Sequence, residues 1–357
     1  MQNYQIFYTF MAIPGRISAI YDLGQFFSFI SENEVCKKEN LPKYEYLKND
    51  FLQVLDTAET RNPWFTHDNL KFCLEQWSNL LTENNLLNWL QNYSAVKNPK
   101  NVAIIMAGNI PLVGFHDLIS VLLSGHNTLV KTSSKDDVLP DFVLNYLREF
   151  NEDLKNSIQK VEKLQNTDAV IATGSNNTAR YFEYYFREIP HIIRKNRTSV
   201  AVLNGNESEL DLKNLSEDIF RYFGLGCRNV TKLYLPEGFN INLLFEAFYD
   251  WNPIINHTRY ANNYDYNRAI YLMEQQPFLD NNFVILKESK ELYSPIGVTH
   301  YEFYEDLDEA RKDLKSNQEK VQCVVGNDFE VKLGQTQKPS LTDYADGVDV
   351  MRFLEKL

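Results

Sequence analysis

Cysteine is scarce in this 357-residue chain, and the spacing of its few cysteines excludes two common uses of the residue. They form no Cys-x-x-Cys pair, so neither a zinc-binding motif nor a disulfide framework is predicted. The six histidines form no His-x-His or His-Glu-x-x-His pattern, and the sequence therefore predicts no metal site. The cysteines are Cys36, Cys73, Cys227 and Cys323.

Long apolar segments and clustered positive charges are also missing. No stretch approaches the roughly 18 uninterrupted apolar residues of a membrane helix, and the start of the chain lacks the basic and apolar regions of a signal peptide. We therefore expect a cytoplasmic protein without a membrane span, in which thiols stay reduced. The net charge of −12 argues against nucleic acid as the main partner, because phosphate contacts need clustered Lys and Arg.

The chain is long enough for at least two domains. Residues 1–98 are predicted to form a helical N-terminal region without a chemical motif. Residues 99–198 alternate between apolar runs and amphipathic segments, which is typical of a doubly wound α/β sheet of the Rossmann type. The apolar runs, at 102–106, 128–131 and 169–172, predict buried parallel strands, and helices are predicted at 112–124 and 178–187.

A second α/β domain is predicted over residues 199–333, followed by a C-terminal segment, 334–357. Residues 216–223 have the apolar spacing of a helix, and residues 230–235 read as a strand. Cys227 therefore lies on a helix-to-strand loop, after Gly224 and Gly226 and before Arg228. Glycines let the backbone bend and approach a ligand, and a nearby cation favours the nucleophilic thiolate. The alternative is a small buried cysteine, a common environment for this residue.

Polar residues follow three of the predicted strands at their C-terminal ends, where ligands bind in sheets of this kind. They are Asn109 with Gly108, then Lys131, then Ser175 with Gly174. A glycine and a hydroxyl at a helix N-terminus suit a phosphate, and a lysine one loop away can pair with a second phosphate. The alternative is that Gly174-Ser175 is only a helix cap and Lys131 only a surface charge.

The order and spacing of these motifs resemble the aldehyde dehydrogenase superfamily. Within it, residues 100–357 most resemble the long-chain fatty acyl-CoA reductases of bacterial bioluminescence systems. The resemblance implies that Cys227 is the nucleophile and that Asn109, in an Asn-x-Pro loop, contributes to the oxyanion hole. It also implies that Lys131 contacts the adenosine ribose or its 2′-phosphate. Gly174 and Ser175 would face the pyrophosphate, and Glu291, which resembles the glutamate of a Glu-x-Phe-Gly-Pro motif, would hold the nicotinamide ribose.

Two departures from the superfamily pattern refine the expectation. Ser134 stands where the Lys-Pro-Ser-Glu motif has an acid that binds ribose hydroxyls, and its loss favours NADPH as the cofactor. The Glu-Leu-Gly-Gly motif is not visible, and residues 192–197 occupy its place without a carboxylate. Because that glutamate activates hydrolytic water, its absence argues against simple aldehyde oxidation, and is consistent either with a reductase or with lost activity.

The resemblance predicts an NADPH-dependent reduction of a fatty acyl-CoA to the aldehyde through an S-acyl cysteine. It also leads us to expect a homo-oligomer and an acyl-transferring or synthetase partner protein. Two alternatives stay open: a reductase of an acyl phosphate or short thioester, because the tail also resembles glutamyl phosphate reductases, and a Cys acyltransferase or inactive acyl-binding protein. His116, Asp117 and His126 are expected to be solvated or capping residues.

Overall fold

Residues 14–32 and 40–357 are described by the computed structural model of the chain, and Cys36 lies outside them. Contacts divide the chain into two units. The first comprises Met1–Lys195 together with Ser340–Leu357, and the second comprises Asn196–Pro339. The four-part division expected from the sequence stays a prediction.

Within the described residues, four helices form the N-terminal part of the first unit. Threonine caps begin two of them, since the Thr66 and Thr82 hydroxyls accept the backbone N–H groups of Asn69 and Asn85. Their apolar faces meet in an aromatic core in which the Phe51 ring lies 5.2 Å from that of Phe26. The helices are α1 (Pro14–Ile30), α2 (Leu41–Arg61), α3 (His67–Leu80) and α4 (Glu83–Leu90).

A five-stranded parallel sheet follows, in the strand order β3-β2-β1-β4-β5. Its central strands are buried on both faces, which explains their continuous apolar sequences. The strands are β1 (Asn101–Ile105), β2 (Asn127–Lys131), β3 (Ile158–Lys160), β4 (Ala169–Thr173) and β5 (His191–Arg194). The helices between them are α5 (Phe115–Ser124), α6 (Val138–Phe150), α7 (Glu152–Ser157) and α8 (Asn176–Phe186).

The strand order reverses beside β1. The chain runs outward through β2 and β3, then returns to place β4 on the other side of β1. Ile105 at the end of β1 pairs with both Lys131 and Ala172, so three strands end together at one edge. Such a reversal opens a crevice at the carboxyl ends of the strands, where ligands bind in this class of fold.

The second unit contains a six-stranded sheet in the order β11-β6-β7-β10-β9-β8, parallel except for the β8–β9 pair. Its strands are β6 (Thr198–Val202), β7 (Val230–Pro236), β8 (Leu279–Asp280), β9 (Ile285–Glu288), β10 (Val298–Tyr304) and β11 (Val321–Val325). Its helices are α9 (Glu209–Phe220), α10 (Asn242–Phe248), α11 (Thr258–Met273) and α12 (Leu307–Ser316). The predicted α/β fold with a helical N-terminal region is confirmed.

The last described segment belongs to the first unit. Its helix α13 (Val350–Glu355) packs against α5. The Trp89 indole N–H donates to the Tyr344 hydroxyl at 2.7 Å, and the Leu354 carbonyl accepts a hydrogen bond from His126 at 3.0 Å. These contacts join parts of the chain that are far apart in sequence.

Two of the helix boundaries that differ from the sequence prediction lie close to predicted site residues. Helix α5 begins at Phe115 and not at Leu112, because Leu112 adopts a left-handed φ of +53°. Helix α9 ends at Phe220, and a 3₁₀ turn occupies Arg221–Gly224. Both deviations lie in loops that carry predicted site residues.

Candidate active site

The loop that carries Cys227 is unusual in its backbone. Tyr222, Phe223 and Gly224 all have left-handed φ angles, of 54°, 58° and 75°. Bulky aromatic residues rarely adopt this conformation, which costs about 1–3 kcal/mol per residue. The Phe223 ring is anchored against His257, with 4.3 Å between the ring centres. The strained turn therefore ends α9 abruptly and leads to Cys227, which is half-buried.

Asn229, which is fully buried, holds this loop from inside. Its Oδ1 accepts the Gly226 N–H at 2.7 Å, while its Nδ2 donates to the carbonyls of Asp218 and Arg221 at 3.2 and 2.8 Å. One side chain thus ties the residue before Cys227 to the end of α9. Sequence reasoning did not identify Asn229, although an asparagine shortly after two glycines is a recognisable turn signal.

The peptide after Cys227 is held by a neighbouring strand. The buried Ser199 hydroxyl, on β6, donates to the Cys227 carbonyl at 3.1 Å and contacts the Cys323 Sγ at 3.0 Å. The Arg228 guanidinium donates to the Thr336 carbonyl at 3.4 Å. The backbone just after the Cys227 side chain is therefore fixed by groups from β6 and from the segment after β11.

Asp218 on α9 connects the same region to residues 334–336. Its buried carboxylate accepts the backbone N–H groups of Gly334 and Thr336 and the Thr336 hydroxyl, at 2.6 to 2.9 Å. Burial raises the pKa of Asp218 to about 6, against the opposing effect of these hydrogen bonds. The carboxylate therefore anchors a glycine-bearing segment to the helix that precedes the cysteine.

Glu291 lies on the loop between β9 and β10, and its side chain is exposed. The next residue, Leu292, has its carbonyl bound by the Thr231 hydroxyl at 2.6 Å. Thr231 follows Cys227 by four positions, at the start of β7. The structure therefore brings the Cys227 loop and the Glu291 segment to the same edge of the second sheet.

In the first unit, the other predicted site residues follow adjacent strands at one sheet edge. Asn109 follows β1, Lys131 ends β2, and Gly174 follows β4. The Ser175 hydroxyl accepts the Thr178 N–H at 3.3 Å and so caps α8. A helix cap was the alternative to a phosphate-binding role in the sequence analysis. The cap places the first turn of α8, with its N–H groups, at the reversal point of the sheet.

The Asn109 loop is bound to the loop after β2. The buried Asp136 carboxylate accepts the Leu112 N–H through Oδ2 at 2.9 Å. Gly108 lies so close to Ser133 that a Cβ would approach the serine Oγ to 2.7 Å, which explains the need for glycine there. Burial, together with the adjacent Asp137, raises the pKa of Asp136 to about 7.

The loop after β2 has the donor set that a phosphate requires. Lys131, Ser134 and Lys135 are all exposed, and the last of these was not identified from the sequence. Of the two neighbouring carboxylates, Asp136 is buried, and Asp137 is paired with the Arg61 guanidinium at 2.7 Å. The exposed groups of this loop are thus cationic or neutral apart from Asp137, which is partly exposed and ion-paired.

The position expected for the missing glutamate is cationic. Arg194 at the end of β5 forms a buried ion pair with Asp117, and residues 195–197 contain no carboxylate. The prediction that Asp117 is solvated or capping is therefore wrong. The same prediction is wrong for His126, which is buried; its Nδ1 accepts the Lys100 N–H and its other nitrogen donates to Leu354. Desolvation by burial lowers the pKa of His126.

Neither a metal centre nor a membrane helix is found in the described parts of the chain. Within residues 14–32 and 40–357, no three His, Cys, Asp or Glu side chains cluster as metal ligands would. No helix in those ranges is both long and apolar enough to cross a bilayer.

Comparison with known proteins gives a family and a fold. A family model described as acyl-CoA reductase (LuxC) matches residues 17–242. A search of curated proteins returned no significant match. Many solved structures are similar, and aldehyde dehydrogenase 21 from Physcomitrella patens, in complex with succinate, is 12% identical with a TM-score of 0.61, over 98% of this chain and 87% of that one.

Two further structures extend the likeness. An indole-3-acetaldehyde dehydrogenase of P. syringae, in complex with NAD+, is 11% identical with a TM-score of 0.58, over 87% of this chain and 72% of its own. A benzaldehyde dehydrogenase of Corynebacterium glutamicum is 11% identical with a TM-score of 0.61, over 88% and 77%. The predicted aldehyde dehydrogenase-like fold is confirmed.

Proposed function

Because this chain belongs to the acyl-CoA reductase (LuxC) family, we propose that it converts an acyl-CoA thioester and NADPH into an aldehyde, free coenzyme A and NADP+. The observation that carries the proposal is the Cys227 loop. A half-buried thiol follows a strained turn, and the backbone on both sides of it is fixed by Asn229 and Ser199. Such immobilisation suits a nucleophile that must meet a carbonyl in one orientation.

In this proposal, the Cys227 thiolate attacks the thioester carbonyl, and coenzyme A leaves as its thiolate. The Asn109 amide and the Cys227 N–H stabilise the oxyanion, an effect typically worth about 3–4 kcal/mol per donor. The cofactor, when bound, supplies the hydride that reduces the S-acyl group, and the aldehyde departs as the Cys227 thiolate is regenerated.

In this proposal, the residues singled out in the sequence would bind the cofactor. Lys131 and Ser134 would hold the 2′-phosphate, since the exposed groups of their loop carry no unpaired carboxylate. Gly174 and Ser175, at the N-terminus of α8, would face the pyrophosphate. Glu291 would hold the nicotinamide ribose through its exposed carboxylate.

The residues at the end of β5 and just after it favour reduction of the acyl intermediate over its hydrolysis. Hydrolysis needs a base that activates water, whereas Arg194, Lys195 and Arg197 are cations. Without that base, the S-acyl group persists long enough for hydride transfer. An acyl phosphate substrate would use the same cysteine and is the second candidate, since the phosphate would leave in place of coenzyme A.

We propose three partners: an acyl-CoA substrate, an acyl-transferring or synthetase protein, and a second copy of this chain. The proposed location of the protein is the cytoplasm. Helix α8 supports the last of the three partners, because Tyr181, Tyr184 and Tyr185 on it are 59%, 65% and 70% exposed. Exposed tyrosines of this kind are typical of interfaces.

The test of the proposal is the mass of the intact protein after mixing with acyl-CoAs of different chain lengths, without NADPH. The wild type should gain one acyl group and lose it, as aldehyde, when NADPH is added. Cys227→Ser should gain no thioester, whereas Cys323→Ser, the same change at another half-buried cysteine, should behave as wild type. Transfer of the acyl group to an added alcohol or amine, with no aldehyde, would indicate an acyltransferase. No adduct from any acyl-CoA, but one from acyl phosphates, would identify the second candidate.

A further inference from the structure

Three successive backbone carbonyls around Glu291 are bound by side chains. The Lys232 ammonium donates to the Lys290 carbonyl at 3.1 Å, and the His300 Nδ1 lies 3.0 Å from the Glu291 carbonyl. The Thr231 hydroxyl completes the set by donating to the Leu292 carbonyl at 2.6 Å. We call Thr231, Lys232 and His300 the carbonyl clamp, because each of them fixes one of three adjacent peptide groups.

The clamp is built on two paired strands. Thr231 and Lys232 lie on β7, His300 lies on β10, and His300 pairs with Lys232 in the parallel register. The three side chains therefore have fixed relative positions, which a loop alone would not provide. Since β7 begins just after the Cys227 loop, the clamp links that loop to the Glu291 segment through rigid elements.

Lys232 is the least expected member of the clamp. Its side chain is fully buried, with its ammonium 2.5 Å from the Glu302 carboxylate and 4.7 Å from the centre of the Tyr234 ring. A buried ammonium must have its donors satisfied. The Lys290 carbonyl takes one donor, so the ion pair within the sheet also holds the loop.

His300 acts as a neutral donor. A carbonyl oxygen only accepts hydrogen bonds, so His300 must carry its proton on Nδ1 to bind the Glu291 carbonyl. Burial lowers the pKa of His300, and the nearby Lys287 and Lys232 cations act in the same direction. The neutral ring with its Nδ1 proton is therefore the form that holds the loop.

We propose that Thr231, Lys232 and His300 are positioning residues for Glu291. They hold its peptide groups so that the exposed carboxylate has a fixed place at the sheet edge that also carries the Cys227 loop. This inference rests on the proposed function, because the ribose of a nicotinamide cofactor is the group that Glu291 would bind. The clamp would thus govern cofactor affinity and leave the acylation of Cys227 unaffected.

Thr231 offers a matched pair of variants. Thr231→Val keeps the shape but removes the hydroxyl, whereas Thr231→Ser keeps the hydroxyl. Thr198, which also contacts the Thr231 hydroxyl at 2.6 Å, retains the Asn229 carbonyl as an acceptor, at 3.4 Å, in the valine variant. Thr231→Val therefore removes the bond with Leu292 and the contact with Thr198, and Thr231→Ser keeps both.

His300 offers a second pair. Asparagine can place a donor near the position of Nδ1, so His300→Asn should preserve the bond to the Glu291 carbonyl. His300→Leu removes the donor and replaces the ring with an apolar side chain of similar bulk. Each pair separates loss of the hydrogen bond from loss of packing.

The experiment measures two properties of each variant: the Kd for NADPH from its fluorescence, and the rate of Cys227 acylation by acyl-CoA without NADPH. Thr231→Val and His300→Leu should raise the Kd about tenfold, the equivalent of one hydrogen bond, with acylation within twofold of wild type. Thr231→Ser and His300→Asn should restore the Kd to within twofold. In a Glu291→Gln background, Thr231→Val should have no further effect on the Kd.

The inference is overturned if Thr231→Val and His300→Leu bind NADPH as wild type does. It is also overturned if they lose acylation and cofactor binding equally, since that would indicate a purely structural role. Failure of the proposed function looks different, because the wild type itself would then show no acylation. The NADPH titration would still test the clamp in that case.

Discussion

Asp136 makes the stability of the first unit depend on pH in a predictable direction. Its carboxylate is buried, and its Oδ1 has no hydrogen-bond partner among the described residues. Its other oxygen accepts the Leu112 N–H. Asp136→Asn keeps an acceptor for that N–H and removes the titration, and is therefore the informative perturbation.

The magnitude follows from the raised pKa of Asp136. The folded protein binds this proton up to about pH 7, whereas an unfolded chain releases it near the ordinary pKa of 3.8. Because the native state holds more protons between these values, the contribution of Asp136 to stability is largest below about pH 4 and is lost as pH rises to about 7. The full difference corresponds to about 4 kcal/mol, of which about 3 kcal/mol should be lost between pH 5 and pH 8.

Urea unfolding followed by tryptophan fluorescence is the suitable assay. Trp64, Trp77 and Trp89 lie in the first unit and only Trp251 lies in the second, so the signal reports mainly on the unit that contains Asp136. The free energy of unfolding of wild type minus that of Asp136→Asn should fall by about 3 kcal/mol from pH 5 to pH 8. A difference that stays constant over this range would refute the reasoning.

Three other changes test the site and the assembly. Asn229→Asp should lower the free energy of unfolding of the second unit by about 3 kcal/mol or more in urea titrations, because it turns a donor toward buried carbonyls into an acceptor, and it should slow acylation of Cys227. Lys131→Ala should weaken NADPH more than NADH in fluorescence titrations; equal losses would contradict a 2′-phosphate contact. Tyr184→Glu should lower the oligomeric mass measured by light scattering, because it places a charge among the exposed tyrosines of α8, whereas a wild type that is monomeric would contradict the α8 interface.

The strands of the first sheet were predictable because their environment imposes a simple sequence. The apolar runs located β1, β2 and β4 to within one residue at each end, since parallel strands covered on both faces need apolar side chains throughout. The start of α5 was not predictable in this way. Leu112, with its left-handed φ, donates its N–H to the carboxylate of Asp136, which lies 24 positions later in the chain.

The proposed site residues were easier to identify than the residues that hold them. Cys227 and Glu291 lie in recognisable local motifs, whereas Ser199 and Lys232 have no local signal and act through partners far away in sequence. Buried polar side chains of this kind are visible only after the strands are assembled. The same limit explains the wrong prediction for Asp117, whose ion-pair partner is 77 positions away.

The return of residues 340–357 to the first unit affects how the chain folds during synthesis. The second unit is continuous, so the ribosome completes its sequence before it supplies the helix that packs on α5. Until then, His126 and Trp89 lack their partners Leu354 and Tyr344, and the surface around them stays uncovered. The first unit can therefore complete its packing only after the last described segment has been synthesised. During that interval, its uncovered surface is a place where a chaperone would bind the nascent chain.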